Sequence, residues 1–531
     1  MSDPHDLQRD VIAWLASPAA HDGQPVERID THSAVVFLAG DRALKLKRAV
    51  KYDYLDFSTL DLRREACNAE VRLNRRAAPS IYRGAVAVTA DAGGSFALDG
   101  PGPAVDWLVE MSRFDQDALF DRLASRGALP PDLMATLGST IATFHRDAAR
   151  RVDQGGVAGL RWVIEGNARS FKREGQGILD PGAAGDLTSA SLAEVDRQAE
   201  RLERRRRDGF VRQCHGDLHL RNLVLIDGRP TLFDAVEFND AIACGDVYYD
   251  LAFLLMDLWR RDLREQANVV LNAYVADTDD VDGLALLPLF LSCRAAVRAK
   301  TSATASRLQP ALAGRREFED LAREYLRLAA ALLRRPRPGI VAIGGFSGSG
   351  KSTMARALAP DVGGPPGAIV LRSDLIRKEI CGVPAHERLG PDGYSADITR
   401  RVYTLLADRA AAIVHSGHAA IVDAVYAESG SRRGIEAVAT AAGADFIGLW
   451  LEAPGDVLVA RVRTRTGDAS DADEAVVRRQ TGQNPGAMTW RRVNAAGSAP
   501  ETLARVRQAV GRPAPGDSAK SPASACDAAS E

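Results

Sequence analysis

The sequence has no apolar run of the roughly 18 residues that a membrane-spanning helix requires. Its first residues, MSDPHDLQRDVIAWL, lack the basic segment and apolar stretch of a secretion signal. The six cysteines are scattered and none forms a CxxC pair, which disfavours a zinc site or a disulfide framework. The 68 Lys and Arg nearly balance the 70 Asp and Glu, so no net charge attracts a nucleic acid or a membrane. These absences predict a cytoplasmic protein that binds neither a nucleic acid nor a membrane.

At 531 residues the chain is too long for one ordinary domain. The clearest boundary is RRPRPG, where two prolines and a glycine end the helical pattern FEDLAREYLRLAAALL and precede the apolar strand IVAIGG. We predict a first domain over 1–333, a linker over 334–339 and a second domain over 340–511. The tail 512–531 is rich in Pro, Ala, Ser and charge, which predicts disorder.

The two domains differ in their hydrophobic patterns. The first begins with a hairpin pattern over 34–48, AVVFL and ALKLK around the turn AGDR, and a helical pattern follows over 60–75. From 116 to 330 the pattern is mostly helical, broken near 213–240 by short strands. This predicts a protein-kinase-like α+β domain with a small β-rich lobe and a helical lobe. After 339 strands and helices alternate, which predicts an α/β domain with a parallel sheet.

The stretch CHGDLHLRN at 214–222 contains Asp217 and, five residues later, Asn222; Asp234 follows beyond a short predicted hairpin. Phosphoryl transfer needs a carboxylate for the acceptor, oxygen ligands for magnesium, and a Lys on the α/β-phosphates that a helix Glu usually orients. The first domain supplies all of these in kinase order. The candidates for the ion pair are Lys45 or Lys47 on the second hairpin strand and Glu65 or Glu70 on the next helix.

This set resembles the aminoglycoside phosphotransferase family, the small-molecule branch of the protein-kinase-like fold, over roughly residues 30–330. The resemblance implies that Asp217 is the catalytic base and that Asn222 and Asp234 are magnesium ligands. One departure is that no GxGxxG loop covers residues 30–45, where only the short AGDR turn is found.

Three further stretches look like landmarks of the same family. IATFHRDAA at 141–149 and GDVYYDLAFL at 245–254 are interpreted as scaffold. The predicted strand LVEM at 108–111 looks like the hinge whose backbone would meet adenine.

The second domain opens with GFSGSGKST, a complete GxxxxGK[ST] motif between a predicted strand and a predicted helix. Its glycines let backbone N–H groups close on phosphates, and the helix N-terminus adds positive potential. We expect Lys351 to reach the β/γ-phosphates and Ser352 to ligate magnesium. The predicted nucleotide-binding residues are Gly345, Phe346, Ser347, Gly348, Ser349, Gly350, Lys351, Ser352 and Thr353.

Other charged residues of this domain fall at predicted strand ends or on a later helix. Asp374 follows the second strand with Arg377 three residues on, Asp423 ends the third strand, and Arg461 and Arg465 are one helical turn apart. The set resembles the small P-loop kinases that include polynucleotide kinase, gluconate kinase, chloramphenicol phosphotransferase and zeta toxin. The resemblance implies that Asp374 activates the acceptor, Arg377 clamps acceptor or phosphate, Asp423 serves the metal, and the arginines neutralise the transferred group.

Two complete centres predict an ATP-dependent kinase that uses ATP and Mg²⁺ at both. The layout resembles bacterial bifunctional aminoglycoside phosphotransferase/ATP-binding proteins and implies small-molecule acceptors that offer an alcohol group. The alternative is a regulatory or interaction protein in which one kinase-like domain binds nucleotide without turnover. The sequence disfavours it, because neither centre lacks a needed residue.

The acceptors are not indicated. The loop around 386–400 has no run of basic and aromatic residues, which argues against a nucleic-acid acceptor. Acidic residues between 257 and 282 would suit a polycationic aminoglycoside, or they form a solvated acidic surface. They are Asp257, Asp262, Glu265, Asp277, Asp279, Asp280 and Asp282.

Overall fold

The computed structural model describes residues 4–31, 33–52, 55–309, 311–464 and 470–511. The tail over 512–531, for which disorder is expected, lies outside the described residues. The chain divides into two compact units. Among the described residues, the first unit contains those up to Asp257 together with Cys293–Ala329, and the second contains Leu258–Ser292 and those from Ala330 to Gly511.

A six-stranded antiparallel sheet, ordered β1-β2-β3-β8-β6-β7, opens the first unit. The predicted hairpin is confirmed as β2 and β3, which pair from Ala34↔Lys47 to Ala39↔Arg42. Shorter strands follow within the helical part. The strands of this unit are β1 Glu27–Asp30, β2 Ala34–Ala39, β3 Arg42–Lys47, β4 Lys51–Tyr52, β5 Leu55–Asp56, β6 Tyr82–Ala90, β7 Phe96–Leu98, β8 Ala104–Ser112, β9 Val211–Gln213, β10 Leu223–Ile226, β11 Arg229–Leu232 and β12 Cys244–Asp246.

Alternation along β3 decides which side chains face the first core. Leu44 and Leu46 pack on one face of the sheet with Val11 and Leu15 of the N-terminal helix. Ala43, Lys45 and Lys47, which alternate with these leucines, therefore face the opposite side. There a helix packs with its Cys67 and Val71 against the sheet.

Helices make up most of the remaining chain before residue 333, as the pattern predicts. They are α1 Pro4–Leu15, α2 Leu60–Asn74, α3 Phe120–Ser125, α4 Pro131–Asp147, α5 Gly156–Arg173, α6 Pro181–Arg197, α7 Ala199–Arg207, α8 Asp240–Ala243, α9 Val247–Arg260, α10 Arg264–Thr278, α11 Leu287–Leu308 and α12 Leu312–Leu332. None of the described residues forms a helix long and apolar enough to cross a membrane.

The second unit is built on a five-stranded parallel sheet in the order β14-β15-β13-β16-β17, which confirms the predicted α/β domain. Its inner strands, β15, β13 and β16, are largely apolar because helices cover both faces of the sheet. The elements are β13 Gly339–Gly345, α13 Lys351–Leu358, β14 Ile369–Arg372, α14 Ser373–Cys381, α15 Ala396–His415, β15 Ala420–Asp423, α16 Ser429–Ala441, β16 Asp445–Glu452, α17 Gly455–Thr464, α18 Glu474–Thr481, β17 Arg491–Asn494 and α19 Ala499–Ala509.

Helix α10, which the sequence places in the first domain, lies in the second unit and binds its edge strand β14. The Asn268 amide nitrogen donates to the carbonyls of Pro366 and Ala368, at 3.1 and 3.0 Å. The Asn272 side chain accepts from Val370 N at 2.8 Å and donates to Ala368 O at 3.1 Å. These two side chains supply hydrogen bonds that an additional strand would otherwise make.

Candidate active sites

Asp217 and Asn222 lie together in the loop between β9 and β10. The Asn222 amide nitrogen donates to the Asp217 backbone oxygen at 2.9 Å and to its Oδ2 at 3.1 Å. Gly216 has φ +83°, and a Cβ there would lie 3.1 Å from the Cβ of Val236 and 3.2 Å from the backbone of Ala243. Glycine therefore permits the turn that presents Asp217, whose side chain is 41% exposed.

Asp250 of α9 holds the backbone just before the Asp217 loop. Its carboxylate accepts from His215 N at 3.1 Å and from Gly216 N at 2.8 Å, and it lies 3.0 Å from His145 Nε2. Burial would raise the Asp250 pKa, but the hydrogen bond and charge of His145 lower it to about 2. The two stretches interpreted as scaffold, 141–149 and 245–254, thus contact each other through His145 and Asp250. Asp250 in turn holds the backbone of the Asp217 loop.

Two side chains that sequence reasoning missed, His219 and Arg298, act on Asp217. Partial removal from water would raise the pKa of this carboxyl, but the neighbouring His219 ring and the Arg298 guanidinium hold it below its ordinary value. His219 Nε2 lies 3.4 Å from Asp217 Oδ2. His219 is visible in the HGDLHLRN motif, whereas Arg298, on the distant helix α11, carries no sequence signal. Asp217 is therefore ionised at neutral pH and able to accept a proton.

Both candidate lysines bind one carboxylate, Glu70 of α2. Lys45 Nζ lies 2.9 Å from Glu70 Oε1 and 2.5 Å from Asp234 Oδ1. Lys47 Nζ lies 2.6 Å from Glu70 Oε2 and also pairs with Glu237. Both candidate lysines therefore belong to one cluster of ion pairs. Glu237, which sequence reasoning missed, is a further member of it.

Glu65 is not part of this cluster. Glu65 lies five positions before Glu70 on α2, so the two side chains are about 140° apart around the helix axis. Glu65 is exposed and lines a surface cavity of about 740 Å³ with other residues of α2 and with Glu237 and Phe238. Glu70 is thus the carboxylate of α2 that faces the lysines.

Opposite charges outweigh burial at Lys45 and Glu70, whereas burial raises the pKa of Glu237. Burial would lower the Lys45 pKa, but the carboxylates of Asp234 and Glu70 raise it well above its ordinary value. Burial would raise the Glu70 pKa, but Lys45 and Lys47 lower it to about 2. Lys45 and Glu70 are consequently charged across the physiological pH range.

Asp234 follows strand β11 in a left-handed conformation, with φ +61°. Few residues other than glycine adopt this region, and Asp is among those that tolerate it. Its backbone N–H donates to the Tyr82 hydroxyl at 3.0 Å, and the next N–H, of Ala235, donates to Asn74 Oδ1 at 2.8 Å. The turn leaves the Asp234 side chain 42% exposed and directed to Lys45.

The hinge assignment to 108–111 is wrong. These residues lie inside β8, where they pair with β3 on one side and β6 on the other. Their backbone groups belong to those two ladders and are not available to an adenine ring. The chain leaves the sheet only after Ser112, so a backbone that meets adenine would lie beyond it.

In the second unit the phosphate-binding loop joins β13 to α13, as predicted. Gly348 has φ +83°, and a Cβ there would lie 2.5 Å from the carbonyl of Leu458, so this position requires glycine. Lys351 Nζ donates to Phe346 O at 3.1 Å. Gln480 of α18, which sequence reasoning missed, accepts from Ser347 N at 2.8 Å.

Asp423 ends β15 beside the loop. Ser352 Oγ donates to Asp423 Oδ2 at 2.5 Å, and Arg372 Nε lies 3.5 Å from the same oxygen. Burial raises the Asp423 pKa, although Lys351 and Arg372 oppose the shift. β15 lies between β13 and β14, so Ser352, Arg372 and Asp423 lie together at the carboxyl ends of these three parallel strands. Open α/β sheets bind their ligands at this edge.

The predicted acceptor residues lie on α14. Asp374 is in its first turn, and Arg377 follows one turn later and is buried. The Arg377 guanidinium donates to Gly393 O at 2.8 Å and lies 5.0 Å from the Tyr394 ring. Arg377 therefore orders the turn at 391–394 beside Asp374.

The two predicted lid arginines have different outcomes. Arg461, on α17, donates to Gly497 O at 2.6 Å, so the structure places it against the segment after β17. Arg465 lies outside the described residues.

The chain resembles known families and proteins. Residues 107–287 match the family model described as phosphotransferase enzyme family, and residues 340–484 match the model described as AAA domain. Uncharacterized proteins of Mycobacterium tuberculosis and Mycobacterium bovis are 28% identical over 481 residues, or 88% of this chain and 92% of theirs.

Solved kinases align with each part. A gluconokinase from Sinorhizobium meliloti 1021 covers 34% of this chain and 94% of its own, at 21% identity and TM-score 0.25. A choline/ethanolamine kinase family protein from Mesorhizobium loti covers 62% and 96%, at 14% identity and TM-score 0.38. From the two family matches, the chain is an ATP-dependent phosphotransferase that carries a phosphotransferase-family domain and, after it, a P-loop kinase domain.

Proposed function

We propose that the protein is a bifunctional kinase whose two centres each transfer the γ-phosphate of ATP to a hydroxyl of a small molecule. The observation that carries the proposal is the completeness of each centre. The first combines an ionised Asp217 with the Lys45–Glu70 ion pair and Asp234. The second combines the phosphate-binding loop with Ser352 and Asp423 at its mouth.

In the first centre, Asp217 would orient the acceptor hydroxyl and take its proton as the oxygen attacks the γ-phosphorus. Its lowered pKa keeps the carboxylate in the proton-accepting form. Lys45 would supply positive charge to the α/β-phosphates, with Glu70 holding its ammonium group in place. Asn222 fixes the orientation of Asp217.

In the second centre, the backbone of the loop and Lys351 would hold the phosphates. Asp374 would take the proton of the acceptor, and Arg377 would bind either the acceptor or the transferred phosphate. We further propose that Arg461 and Arg465 neutralise charge on that group.

Magnesium fits both donor sets, because each consists of hard oxygen ligands. Asn222 and Asp234 would hold it in the first centre, and Ser352 and Asp423 in the second. Bound there, it would neutralise charge on the phosphates.

The acidic residues between 257 and 282 do not favour a polycationic acceptor, because several already serve other groups. Asp257 accepts from Leu220 N at 3.2 Å and Asp280 accepts from Gly283 N at 3.1 Å. Asp262 pairs with Arg264 at 2.8 Å. We therefore propose acceptors smaller and less charged than an aminoglycoside. A cytoplasmic location is part of the proposal and fits the five described cysteines, which are free thiols.

The proposal is tested by incubating the intact protein with MgATP and a library of small hydroxyl compounds and searching for added phosphate by mass spectrometry. We expect one set of products that Asp217→Ala abolishes and another that Lys351→Ala abolishes. Asp186→Ala, at an exposed position of α6, is the matched control. If ATP binds but no product depends on Asp217 or Lys351, the protein is a nucleotide-binding regulator.

A further inference from the structure

The two lysines of β3 hold Glu70 from its two oxygens. Lys45 pairs with Oε1 and Lys47 with Oε2, at 2.9 and 2.6 Å. Each lysine has a second acidic partner, Asp234 for Lys45 and Glu237 for Lys47. The result is a chain of ion pairs that runs from Glu237 through Lys47, Glu70 and Lys45 to Asp234.

Local geometry explains why two parallel bridges form. Residues 45 and 47 are two apart on a strand, so their side chains leave the same face of the sheet. Their partners Asp234 and Glu237 are three apart in the segment after β11. Glu70 joins the two bridges from α2, so one carboxylate ties together the strand, the helix and this segment.

Burial separates the two lysines into different roles. The side chains of Lys47, Glu70 and Glu237 are 2%, 0% and 5% exposed. Those of Lys45 and Asp234 are 15% and 42% exposed. Lys45 is thus at the accessible end of the chain, where a phosphate could replace Asp234 as its partner, whereas Lys47 is enclosed.

We propose that Lys47 and Glu237 form a positioning pair for phosphoryl transfer by the first centre, a role that rests on the proposed function. Lys47 occupies Glu70 Oε2, so Glu70 presents only Oε1 to Lys45 and cannot turn both oxygens toward it. Glu237 balances the charge of the enclosed Lys47 and holds it in that position. Lys45 can then move from Asp234 to a phosphate while Glu70 stays fixed.

The test uses the intact chain with Lys351→Ala, so that turnover reports on the first centre. Lys47→Met and Glu237→Gln are combined, which removes both charges together and leaves neither buried without its partner. We expect the melting temperature to stay close to that of the parent. We expect kcat for phosphate release from MgATP to fall about 10- to 100-fold, as for other losses of geometry at a reacting group, while KM changes less than about threefold.

Three comparisons make the result decisive. Lys51→Met, which removes a 72% exposed lysine paired with Asp56, should leave kcat unchanged. Glu237→Gln alone keeps an acceptor oxygen for Lys47, so it should fold and show a smaller loss of kcat than the double variant. A kcat within twofold of the parent in either folded variant, or a loss that only follows the melting temperature, overturns the positioning role. If Asp217→Ala leaves turnover unchanged, the proposed function fails and the positioning role with it.

Discussion

Asp217 and Asp234 are carboxylates of the same centre, but their neighbours differ. Asp217 lies beside His219 and near Arg298, which lower its pKa, and its carboxylate accepts from the amide of Asn222. Asp234 is held in a left-handed turn and pairs with Lys45, the lysine expected on the phosphates. These surroundings support the proposed roles of Asp217 toward the acceptor and of Asp234 toward the nucleotide.

Asp217→Ala should therefore lower turnover by the first centre by about 10²- to 10⁴-fold, the usual contribution of a general base, with MgATP affinity nearly unchanged. Asp234→Ala should lower turnover and also weaken MgATP binding at least about tenfold, because it removes a metal-binding oxygen. Calorimetric titration and turnover in the Lys351→Ala background measure both effects. An equal loss of affinity in the two variants would contradict these roles.

The sequence predicted residues of this site where local spacing decided the geometry. Asp217 and Asn222 meet because both belong to one short loop. Helix phase could have separated Glu70 from Glu65, since Glu70 shares the face of α2 that carries Cys67 and Val71. Arg298 could not be found in this way, because its place beside Asp217 depends on how a distant helix packs.

Helix α10 is bound to the edge strand β14 by two asparagines, and β14 leads directly into α14, which carries Asp374. The hydrophobic pattern of α10 predicts a helix but not its partner, because asparagine side chains that pair with a strand edge have no periodic signature. The sequence was sufficient to predict β13 and the loop after it, because strand, loop and helix are consecutive in sequence.

Asn272→Ala should accelerate hydrogen exchange at Val370, whose N–H donates to the Asn272 side chain. Asn268→Ala should destabilise the second unit by about 1–3 kcal/mol, because it removes the side-chain donor of the buried Pro366 carbonyl. Exchange mass spectrometry of a peptide that covers β14 and urea unfolding measure the two effects. Asn68→Ala, on the exposed face of α2, is the control. Unchanged exchange of β14 in Asn272→Ala would show that the asparagines do not hold the strand.

The turn before β15 contains a second stability determinant, His418. Its ring is buried and donates from Nε2 to Gly367 O at 2.8 Å, and burial lowers its pKa from 6.5 to about 4. Because the folded state favours the neutral ring, the unfolded state binds more protons between these two values. The contribution of this ring to stability is fully present above about pH 6.5 and is lost as the pH falls toward 4.

We therefore expect the second unit to lose about 3 kcal/mol of stability from this ring between pH 7 and pH 4. His418→Gln should reduce the dependence of unfolding free energy on pH, while His386→Gln, at an exposed position, should leave it as it is. Urea unfolding at several pH values gives the slopes. Identical slopes for the parent and His418→Gln would refute the assignment.

For the whole molecule, each unit carries its own lysine proposed to bind phosphate and its own acidic residues beside it. The proposal of two centres therefore predicts two separable activities. The linker over 334–339 and the domain bounds remain predictions, and the position of Leu258–Ser292 in the second unit shows that the chain crosses between units more than once.

Lys351→Ala should lower phosphoryl transfer by the second centre about 10³-fold or more, since it removes a positive charge from the transferred phosphate. The products of the first centre should persist. The comparison uses Lys351→Ala, Asp217→Ala and the double variant in the intact chain, with the products of each centre followed by mass spectrometry. Loss of both product sets in folded Lys351→Ala would mean that the centres work as one machine.

The place of α10 also matters while the protein is being made. Asn272 leaves the ribosome before Val370, and at about 5–20 residues per second the interval between them is roughly 5 to 20 s. During that time Val270, Leu271 and Val275, which are buried in the finished protein, belong to a helix whose strand has not yet been translated. The first unit can begin to fold in this interval, but the second lacks its sheet, so we expect chaperones to bind the exposed apolar face of α10 on the nascent chain.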